Sequence, residues 1–333
     1  MLKTYLSLVF VLLAFCFAIE DASSSNVGYR RIEIQDGVSG ETFPVAIWYP
    51  TRAQPNVVEF GPYTMRVARD ATPADGQFGL VVISHGSGGG NLNHRDLAMA
   101  LASADYVVAA PMHPRDNFED RTGVGSVAVW VGRPRQVSRV IDRMLKDEAL
   151  VAHIQRERVG VVGHSSGGYT ALAIAGAKPS MSALVEHCRA IPQDVRFCSF
   201  GGAAAREAAL RGGDIPDVHD RRVRAIVLLA PHAALFTDEA LSNVAVPVRI
   251  YGAERDDLTP VQYHAERVAK VLATKAEYVL IKGAAHFSFI AGFPDASKNA
   301  AGEAGQDANG FDRTAMQETL NVEITAFFNR TLK

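Results

Sequence analysis

The sequence predicts an α/β fold with a mostly parallel central sheet and helices on both of its faces. Continuous apolar runs, typical of strands buried on both faces, lie at residues 79–84, 106–110 and 159–162, and further stretches of strand character lie at 223–229, 246–251 and 277–281. Stretches of helical character follow most of these runs, at residues 93–104, 135–145, 169–177, 260–272 and 314–328. Strands that alternate with helices are typical of βαβ crossovers. The chain has 333 residues, 48% of them hydrophobic, so it can bury the core that such a sheet requires.

The sheet is expected to open with an antiparallel pair of strands. Residues 30–35 and 42–49 alternate apolar with polar positions, and the turn-forming pairs Asp36-Gly37 and Ser39-Gly40 separate them. No internal repeat or inter-domain linker interrupts the pattern that follows. We therefore expect a single domain over residues 27–333.

The first eighteen residues resemble a secretory signal peptide. Lys3 precedes an apolar run over residues 5–18, and Cys16 and Ala18 are the small residues that signal peptidase reads, so we expect cleavage after Ala18. The alternatives are lipoprotein processing at Cys16 and a buried or membrane-anchoring helix. A spanning helix needs roughly 20 apolar residues, and Glu20 ends this run early. We predict a secreted or periplasmic protein that has no stable membrane span after cleavage.

An insertion of unusual length lies at residues 178–222, between a predicted helix and the next buried strand. A direct connection in such a sheet needs far fewer residues, so we expect a partly helical cap. It contains Cys188 and Cys198, the two cysteines that remain once the leader is removed. An oxidising compartment favours a disulfide between them, and two buried free thiols are the alternative.

Composition and motifs exclude several classes of partner. The 34 Lys and Arg nearly balance the 36 Asp and Glu, giving a formal charge of -2, so the basic surface that nucleic acids require is not expected. The sequence contains no zinc-binding His or Cys spacing and no acidic calcium loop. The Gly-rich run at residues 86–90 resembles a dinucleotide cradle, but Asn91 stands where the third glycine belongs, and no P-loop lysine follows. We therefore expect neither a metal nor a cofactor.

The strongest chemical signal is Gly163-His164-Ser165-Ser166-Gly167, a G-x-S-x-G pattern placed where a buried strand turns into a helix. Such a turn is so tight that only glycine fits at the flanking positions, and it exposes the serine hydroxyl at the edge of the sheet. Ser165 is the predicted nucleophile.

A serine hydroxyl needs a base and an acid that orients the base, and in this fold they follow the serine in the order acid, then histidine. His286 lies just beyond the last predicted strand and ahead of the closing helix, and it is the predicted base. Asp256, four residues before Pro260 in the loop after the strand at 246–251, is the predicted acid. Asp257 is the second candidate, and Glu254 is the third.

Acyl transfer also needs N–H donors directed at the oxyanion that forms. The residue after the nucleophile usually supplies one donor, and a turn after an earlier strand supplies the other. Ser166 and Ser87 occupy these positions, so their backbone N–H groups are the predicted oxyanion hole.

Two further motifs have mainly structural interpretations. Arg133-Pro134 predicts the start of the helix at 135–145, because proline suits an early helical position, and a contact of Arg133 with a substrate carboxylate is the alternative. Met112, Phe287 and Phe289 are expected to pack in the core, although they could line an acyl pocket.

From about residue 30 to residue 328 the chain resembles the α/β-hydrolase superfamily. Within it, the chain is similar to exported dienelactone hydrolase-like serine enzymes, which are related to platelet-activating-factor acetylhydrolases and bacterial polyesterases. The motifs that carry the resemblance are Ser84-His85-Gly86-Ser87-Gly88-Gly89, Met112-His113-Pro114, Arg133-Pro134, Gly163-His164-Ser165-Ser166-Gly167-Gly168, Ala253-Glu254-Arg255-Asp256, Ala285-His286-Phe287-Ser288-Phe289 and Gly310-Phe311-Asp312-Arg313.

The resemblance implies a Ser165-His286-Asp256 triad that hydrolyses a carboxylic ester of a small molecule or lipid-like compound. Two departures matter. Dienelactone hydrolases proper use cysteine as nucleophile, and relatives often carry a cysteine pair after the histidine where this chain has none. Lipase-like, phospholipase-like or polyester-hydrolase activity and acyl transfer remain alternatives, as does a non-catalytic binding protein.

Overall fold

The computed structural model describes residues 25–37, 40–199 and 215–332. The predicted leader, residues 1–18, lies outside this part of the chain. The described strands are β1 (Asn26–Gln35), β2 (Thr42–Thr51), β3 (Asn56–Phe60), β4 (Tyr63–Arg69), β5 (Phe78–Ser84), β6 (Tyr106–Pro111), β7 (Ile154–His164), β8 (Val223–Leu229), β9 (Val248–Ala253) and β10 (Ala276–Ile281). They form one sheet in the order β10-β9-β8-β7-β5-β6-β2-β1-β4-β3.

Six neighbouring strands, from β6 to β10 in the sheet order, are parallel, as the buried apolar runs predict. Successive residues of β5 point to opposite faces: Leu80 and Val82 join one apolar core, and Val81 and Ile83 join the other. All four are at most 2% exposed. The two cores explain why β5 has a continuous apolar sequence.

The other edge of the sheet is mainly antiparallel. β1 pairs with β2 over the whole of both strands, from Asn26 opposite Thr51 to Gln35 opposite Thr42, and β2 pairs antiparallel with β6. The hairpin of β3 and β4 beyond β1 was not predicted. β3 has no fully buried residue, and without a buried apolar side its sequence gives little strand signal.

The described α-helices are α1 (Arg95–Ser103), α2 (Val127–Met144), α3 (Ser166–Ile174), α4 (Met181–Ala190), α5 (Val195–Ser199), α6 (Asp238–Ser242), α7 (Ala265–Val271), α8 (Asp295–Lys298) and α9 (Arg313–Thr331). Short 3₁₀ helices lie at Val151–His153, His286–Phe289 and Gly302–Gly305. The helices α2 and α3 cover one face of the sheet, and α1 and α9 cover the other.

The predicted start of α2 at Arg133-Pro134 is wrong. The helix begins at Val127 after the N-cap Ser126, and Pro134 lies in its interior. Proline has no N–H to donate to the carbonyl four residues earlier, which here belongs to Trp130. The Tyr169 hydroxyl donates to that carbonyl instead, at 2.9 Å. A hydrogen bond from the next helix thus replaces the missing helical bond.

The described part of the predicted cap contains α4 and α5, and a disulfide joins Cys188 to Cys198 across them. Residues 200–214 of the insertion lie outside the described part of the chain. The boundaries of the domain and of the cap therefore stay predictions. Within the described ranges, none of the helices combines the length and apolar character needed to cross a membrane.

Candidate active site

The carboxyl ends of β7, β9 and β10 lie at the same edge of the sheet, as parallel strands require. Ser165 follows β7, Asp256 follows β9, and His286 opens the 3₁₀ helix after β10. Ser165 and His286 both line a cavity of about 1040 Å³ at this edge. The structure therefore brings the predicted nucleophile, acid and base to one place.

Ser165 occupies a backbone conformation that only a tightly held turn maintains. Its φ of 54° and ψ of -114° lie outside the regions that residues other than glycine usually adopt. A Cβ at Gly163 would lie 2.0 Å from the carbonyl oxygen of Gly167, and a Cβ at Gly167 would lie 1.9 Å from that of Ser84. These short distances explain why the G-x-S-x-G pattern has glycine at both flanking positions.

Asp256 and His286 form the hydrogen-bonded pair that the sequence predicts. The Nδ1 of His286 lies 2.8 Å from Asp256 Oδ2, and both side chains are nearly fully buried. Thr259 donates its N–H to Asp256 Oδ1 at 2.8 Å and its hydroxyl to Oδ2 at 2.8 Å. Burial raises the pKa of Asp256, but the charge of His286 and these hydrogen bonds outweigh it and lower the pKa below its usual value.

The other two acid candidates have different partners. Asp257 is exposed and forms an ion pair with Arg196, at 2.7 and 2.8 Å. Glu254 accepts a hydrogen bond from the backbone N–H of Gly283 at 2.8 Å. Of the three candidate carboxylates, Asp256 is the one that forms a hydrogen bond with His286.

The predicted oxyanion residues lie on two different turns, Ser166 directly after Ser165 and Ser87 after β5. Ser166 is the first residue of α3, and Ser87 lies on the turn after β5 and lines the cavity. The Ser87 hydroxyl donates to Asp116 Oδ1, which also accepts the N–H of Gly88 at 3.1 Å. Asp116 thus fixes the conformation of the turn on which Ser87 lies.

Arg133 supports this turn from inside the protein. Its Nη1 lies 2.6 Å from Asp116 Oδ2, both side chains are 1% exposed, and its Nη2 donates to the carbonyl oxygen of His85. Arg133 is absent from the residues that line the cavity. The alternative of a substrate-carboxylate contact is therefore wrong, because a guanidinium enclosed this completely cannot reach a ligand.

Two buried histidines, His85 and His113, lie next to the turn after β5. Their hydrogen bonds define which ring nitrogens are protonated. His85 donates from Nδ1 to the carbonyl of Gly86 at 2.7 Å, and its Nε2 accepts the N–H of His113 at 3.1 Å. His113 accepts the Ser84 hydroxyl at Nε2, at 2.8 Å, and donates from Nδ1 to Gln136 at 2.7 Å. Burial lowers the pKa of both imidazoles far below the usual value, so both are neutral.

His164 connects the turn that carries Ser165 to the predicted base, His286. Its Nε2 donates to the carbonyl oxygen of His286 at 3.0 Å, and the two rings lie 5.0 Å apart. Burial lowers the pKa of His164 well below 6.5, so this residue is neutral. The contact was not predicted, because nothing in the sequence pairs these two residues.

The cavity wall combines apolar and charged side chains. Met112 and Phe287 line it, whereas Phe289 packs in the core at 1% exposure. Met112 is also buried, at 7% exposure, so the expectation of core packing is confirmed for Phe289 and Met112, and Met112 lines the cavity as well. Sequence reasoning missed most of the other lining residues, which come from β1, the β3–β4 hairpin and several loops. Those with large side chains include Tyr29, Arg31, Phe60, Tyr63, Arg69, Phe118, Arg121 and Phe293.

Comparisons with known proteins agree with this architecture. Residues 67–193 match the family model described as the dienelactone hydrolase family. No curated protein matches the chain. Among solved structures, the ferulic acid esterase from Streptomyces cinnamoneus is similar, with 19% identity and a TM-score of 0.61 over 93% of this chain and 90% of that chain. These matches confirm the predicted α/β-hydrolase fold and the dienelactone hydrolase-like resemblance. The family match includes both predicted oxyanion residues and Ser165, and it ends before Asp256 and His286.

Proposed function

We propose that this chain, an ester hydrolase of the dienelactone hydrolase-like group, uses Ser165, His286 and Asp256 to cleave carboxylic esters through an acyl-enzyme. The observation that carries the proposal is the buried hydrogen bond of 2.8 Å between Asp256 Oδ2 and His286 Nδ1, at the wall of the cavity that Ser165 also lines. The positive φ of Ser165 supports the assignment, because strained backbone is concentrated at functional sites.

In the proposed reaction, the Ser165 oxygen bonds to the ester carbonyl carbon while its proton passes to Nε2 of His286. The carbonyl electron pair moves onto oxygen and forms a tetrahedral oxyanion. When this intermediate collapses, the bond to the alcohol breaks and His286 returns the proton to the leaving oxygen. Water then attacks the acyl-enzyme with His286 again as base, and the acid leaves as Ser165 regains its proton.

Asp256 has the proposed role of holding His286 with Nδ1 protonated, so that Nε2 is free to accept the serine proton. Its lowered pKa supports this role, because the carboxylate stays ionised and stabilises the imidazolium formed during attack. The backbone N–H groups of Ser87 and Ser166 are the proposed donors to the oxyanion. Removing one such donor typically costs roughly 10²–10³-fold in rate.

The proposed substrate is a small-molecule or lipid-like ester. A cavity of about 1040 Å³ has room for more than an acetyl ester, and several of its lining side chains are aromatic. A hydroxycinnamate ester is one candidate, because the structurally similar protein is a ferulic acid esterase. Phospholipid and polyester substrates are the alternatives that the sequence left open.

A panel of p-nitrophenyl esters of increasing acyl length, extended to a hydroxycinnamate ester, a phospholipid and a polyester film, tests the proposal. We expect Ser165→Ala to abolish hydrolysis of every ester that the wild type cleaves. Ser166→Ala is the matched control: it retains activity, because only the backbone N–H of Ser166 takes part. Full activity of Ser165→Ala would refute the serine mechanism. An added alcohol acceptor distinguishes acyl transfer, because a transferase forms the new ester instead of the free acid.

Export is a separate part of the proposal. The predicted leader at residues 1–18 and the disulfide between Cys188 and Cys198 support an oxidising compartment outside the cytoplasm. N-terminal sequencing of the protein from periplasmic and culture-supernatant fractions should find a chain that begins after Ala18. Recovery of only the full-length chain, with Met1 intact in the cytoplasm, would contradict export.

A further inference from the structure

The disulfide closes a ring of the insertion, residues 188–198, which we call the disulfide ring. Two charged side chains of this ring, Asp194 and Arg196, reach the segment between β9 and α7. That segment, residues 254–264, carries Asp256 and is called the acid loop below. The disulfide ring therefore contacts the part of the chain that positions the proposed catalytic acid.

Asp194 contacts the end of the acid loop. It is 1% exposed, and its Oδ2 lies 3.0 Å from Nε2 of His264, the N-cap residue of α7. The same oxygen lies 2.7 Å from Nε2 of His187 on α4. Burial raises the pKa of Asp194, but the hydrogen bonds from the two imidazoles outweigh it and lower the pKa. Asp194 is thus an ionised carboxylate that joins the insertion to the acid loop.

The hydrogen bonds of His264 determine where its proton lies. Its Nδ1 accepts the backbone N–H of Ala233 at 3.1 Å, so Nδ1 carries no proton in the neutral ring. Burial lowers the pKa of His264, which favours that neutral form. The single proton is then on Nε2 and points at Asp194 Oδ2. The contact is a directional hydrogen bond to a buried charge, a stronger kind than one between neutral groups.

The same reasoning argues against a metal ion among His187, Asp194 and His264, although their ligand atoms lie within 4.8 Å of one another. A histidine that binds a metal through Nε2 normally donates a hydrogen bond from Nδ1 to an acceptor. Here Nδ1 of His264 faces the N–H of Ala233, which is a donor. The three side chains are therefore held together by hydrogen bonds from the imidazoles to Asp194.

A second contact lies at the beginning of the acid loop. Arg196 pairs with Asp257, the residue after Asp256, at 2.7 Å, and with Glu303, which lines the cavity, at 2.9 Å. Arg196 and both carboxylates are well exposed, so this ion pair is the weaker of the two contacts. The disulfide ring thus holds the acid loop near both of its ends.

We propose that Asp194 is a positioning residue for ester hydrolysis: through His264 it holds the acid loop so that Asp256 Oδ2 stays on Nδ1 of His286. This inference rests on the proposed triad. In this account the disulfide ring supports the proposed active site. Asp194 itself does not line the cavity. Weakening the contact should therefore slow the chemical step without changing substrate binding.

Kinetics of Asp194→Asn on a p-nitrophenyl ester test the inference. A misplaced catalytic group costs up to about 10²-fold in rate, so we expect kcat to fall roughly 10- to 100-fold with KM unchanged. Arg196→Ala should lower kcat by only about threefold, as its exposed contacts suggest. Arg189→Ala is the matched control, because Arg189 lies in the same ring, is exposed and, within the described part of the chain, pairs with Glu186 alone. It should leave kcat and KM unchanged.

A purely structural role of Asp194 would lower the Tm and leave the kcat of the folded fraction unchanged, and that result would overturn the inference. If Asp194→Asn does not fold, His264→Gln and His264→Leu decide the question. Gln can place an N–H near the position of Nε2, so it should retain most of the kcat that Leu loses. Equal kcat for the two variants would overturn the inference.

Metal analysis of the wild-type protein provides an independent test. We expect no stoichiometric zinc and no change of kcat after EDTA treatment. Bound zinc, together with loss of activity after EDTA treatment, would show that these three residues form a metal site and would overturn the inference. Failure of the proposed function is distinguishable from these outcomes, because wild-type protein that hydrolyses no ester would refute the triad whatever the variants do.

Discussion

Asp116 holds Ser87 in place: the Ser87 hydroxyl donates to Asp116 Oδ1, and the other oxygen of that carboxylate pairs with Arg133 at 2.6 Å. The ion pair is completely enclosed beneath the turn that carries the proposed oxyanion donor. A buried charge that loses its partner is strongly destabilising, whereas an exposed pair contributes little. The ion pair between Asp116 and Arg133 therefore supports both the turn that carries Ser87 and the stability of the fold.

Replacing Arg133 by methionine should lower the free energy of unfolding by about 3–5 kcal/mol, because it leaves Asp116 buried and unpaired. Urea unfolding measures the loss. Arg330→Met is the matched control: Arg330 pairs with Glu277 on the surface, and its loss should cost less than about 1 kcal/mol. Similar losses for the two variants would show that the buried pair does not support the turn.

Asp256→Asn should reduce kcat/KM roughly 10³–10⁴-fold, because an amide cannot stabilise the imidazolium or impose the required tautomer on His286. Asp257→Asn should cost only a few-fold, since Asp257 pairs with Arg196 and not with the base. Steady-state kinetics on one ester compare the two variants. A larger loss for Asp257→Asn would transfer the role of the acid to that residue.

Gly167→Ala should prevent accumulation of folded, active protein, because the new Cβ would lie 1.9 Å from the carbonyl oxygen of Ser84. Neither backbone can move without displacing Ser165 or the end of β5. Gly292→Ala is the control, since a Cβ there meets nothing within 4 Å. Soluble yield and circular dichroism measure the outcome, and wild-type behaviour of Gly167→Ala would contradict the close packing of the nucleophile turn.

Stability should fall as the pH decreases below about 6.5. Burial lowers the folded-state pKa of His85, His94, His113, His164 and His232, to about 4 for His94. The unfolded chain has histidine pKa values near 6.5, so between these values it binds more protons than the folded chain. Each such group lowers the stability by about 1.4 kcal/mol per pH unit inside this window.

Urea midpoints measured from pH 7.5 to pH 4.5 check this expectation. His94→Gln should reduce the pH dependence, and His219→Gln, at an exposed position, should leave it unchanged. A midpoint that stays constant, or rises, as the pH falls to 5 would contradict the neutral buried histidines. Asp194 and Asp256 add a second loss at lower pH, because their lowered pKa values stabilise the fold only above about pH 4.

The sequence predicts the parallel half of the fold well, because strands buried on both faces leave continuous apolar runs. It also predicts which of three carboxylates contacts His286, since Asp256, four residues before Pro260, is the one that forms this hydrogen bond. Edge strands such as β3 lack this signal. The start of α2 could not be predicted, because a proline inside a helix needs another donor for the carbonyl four residues earlier. Here the Tyr169 hydroxyl supplies it to Trp130, and this contact exists only in the folded chain.

Contacts between residues far apart in the sequence could not be predicted. His264 has no functional motif around it in the sequence, yet it is fully buried against Asp194, which is 70 positions away. Asp116 and Arg133 likewise gain their importance only when the chain folds around them. Sequence motifs identify residues that occur at a fixed spacing along the chain. The residues that support them are brought into contact only by tertiary packing.

Labelling with a fluorophosphonate tests the central claim most directly. Intact-mass analysis should find one added phosphonyl group on wild-type protein, peptide mapping should place it on Ser165, and hydrolysis should stop as the label is incorporated. Ser165→Ala should stay unlabelled. Labelling at another residue, or full ester hydrolysis by protein that the reagent does not modify, would contradict the account.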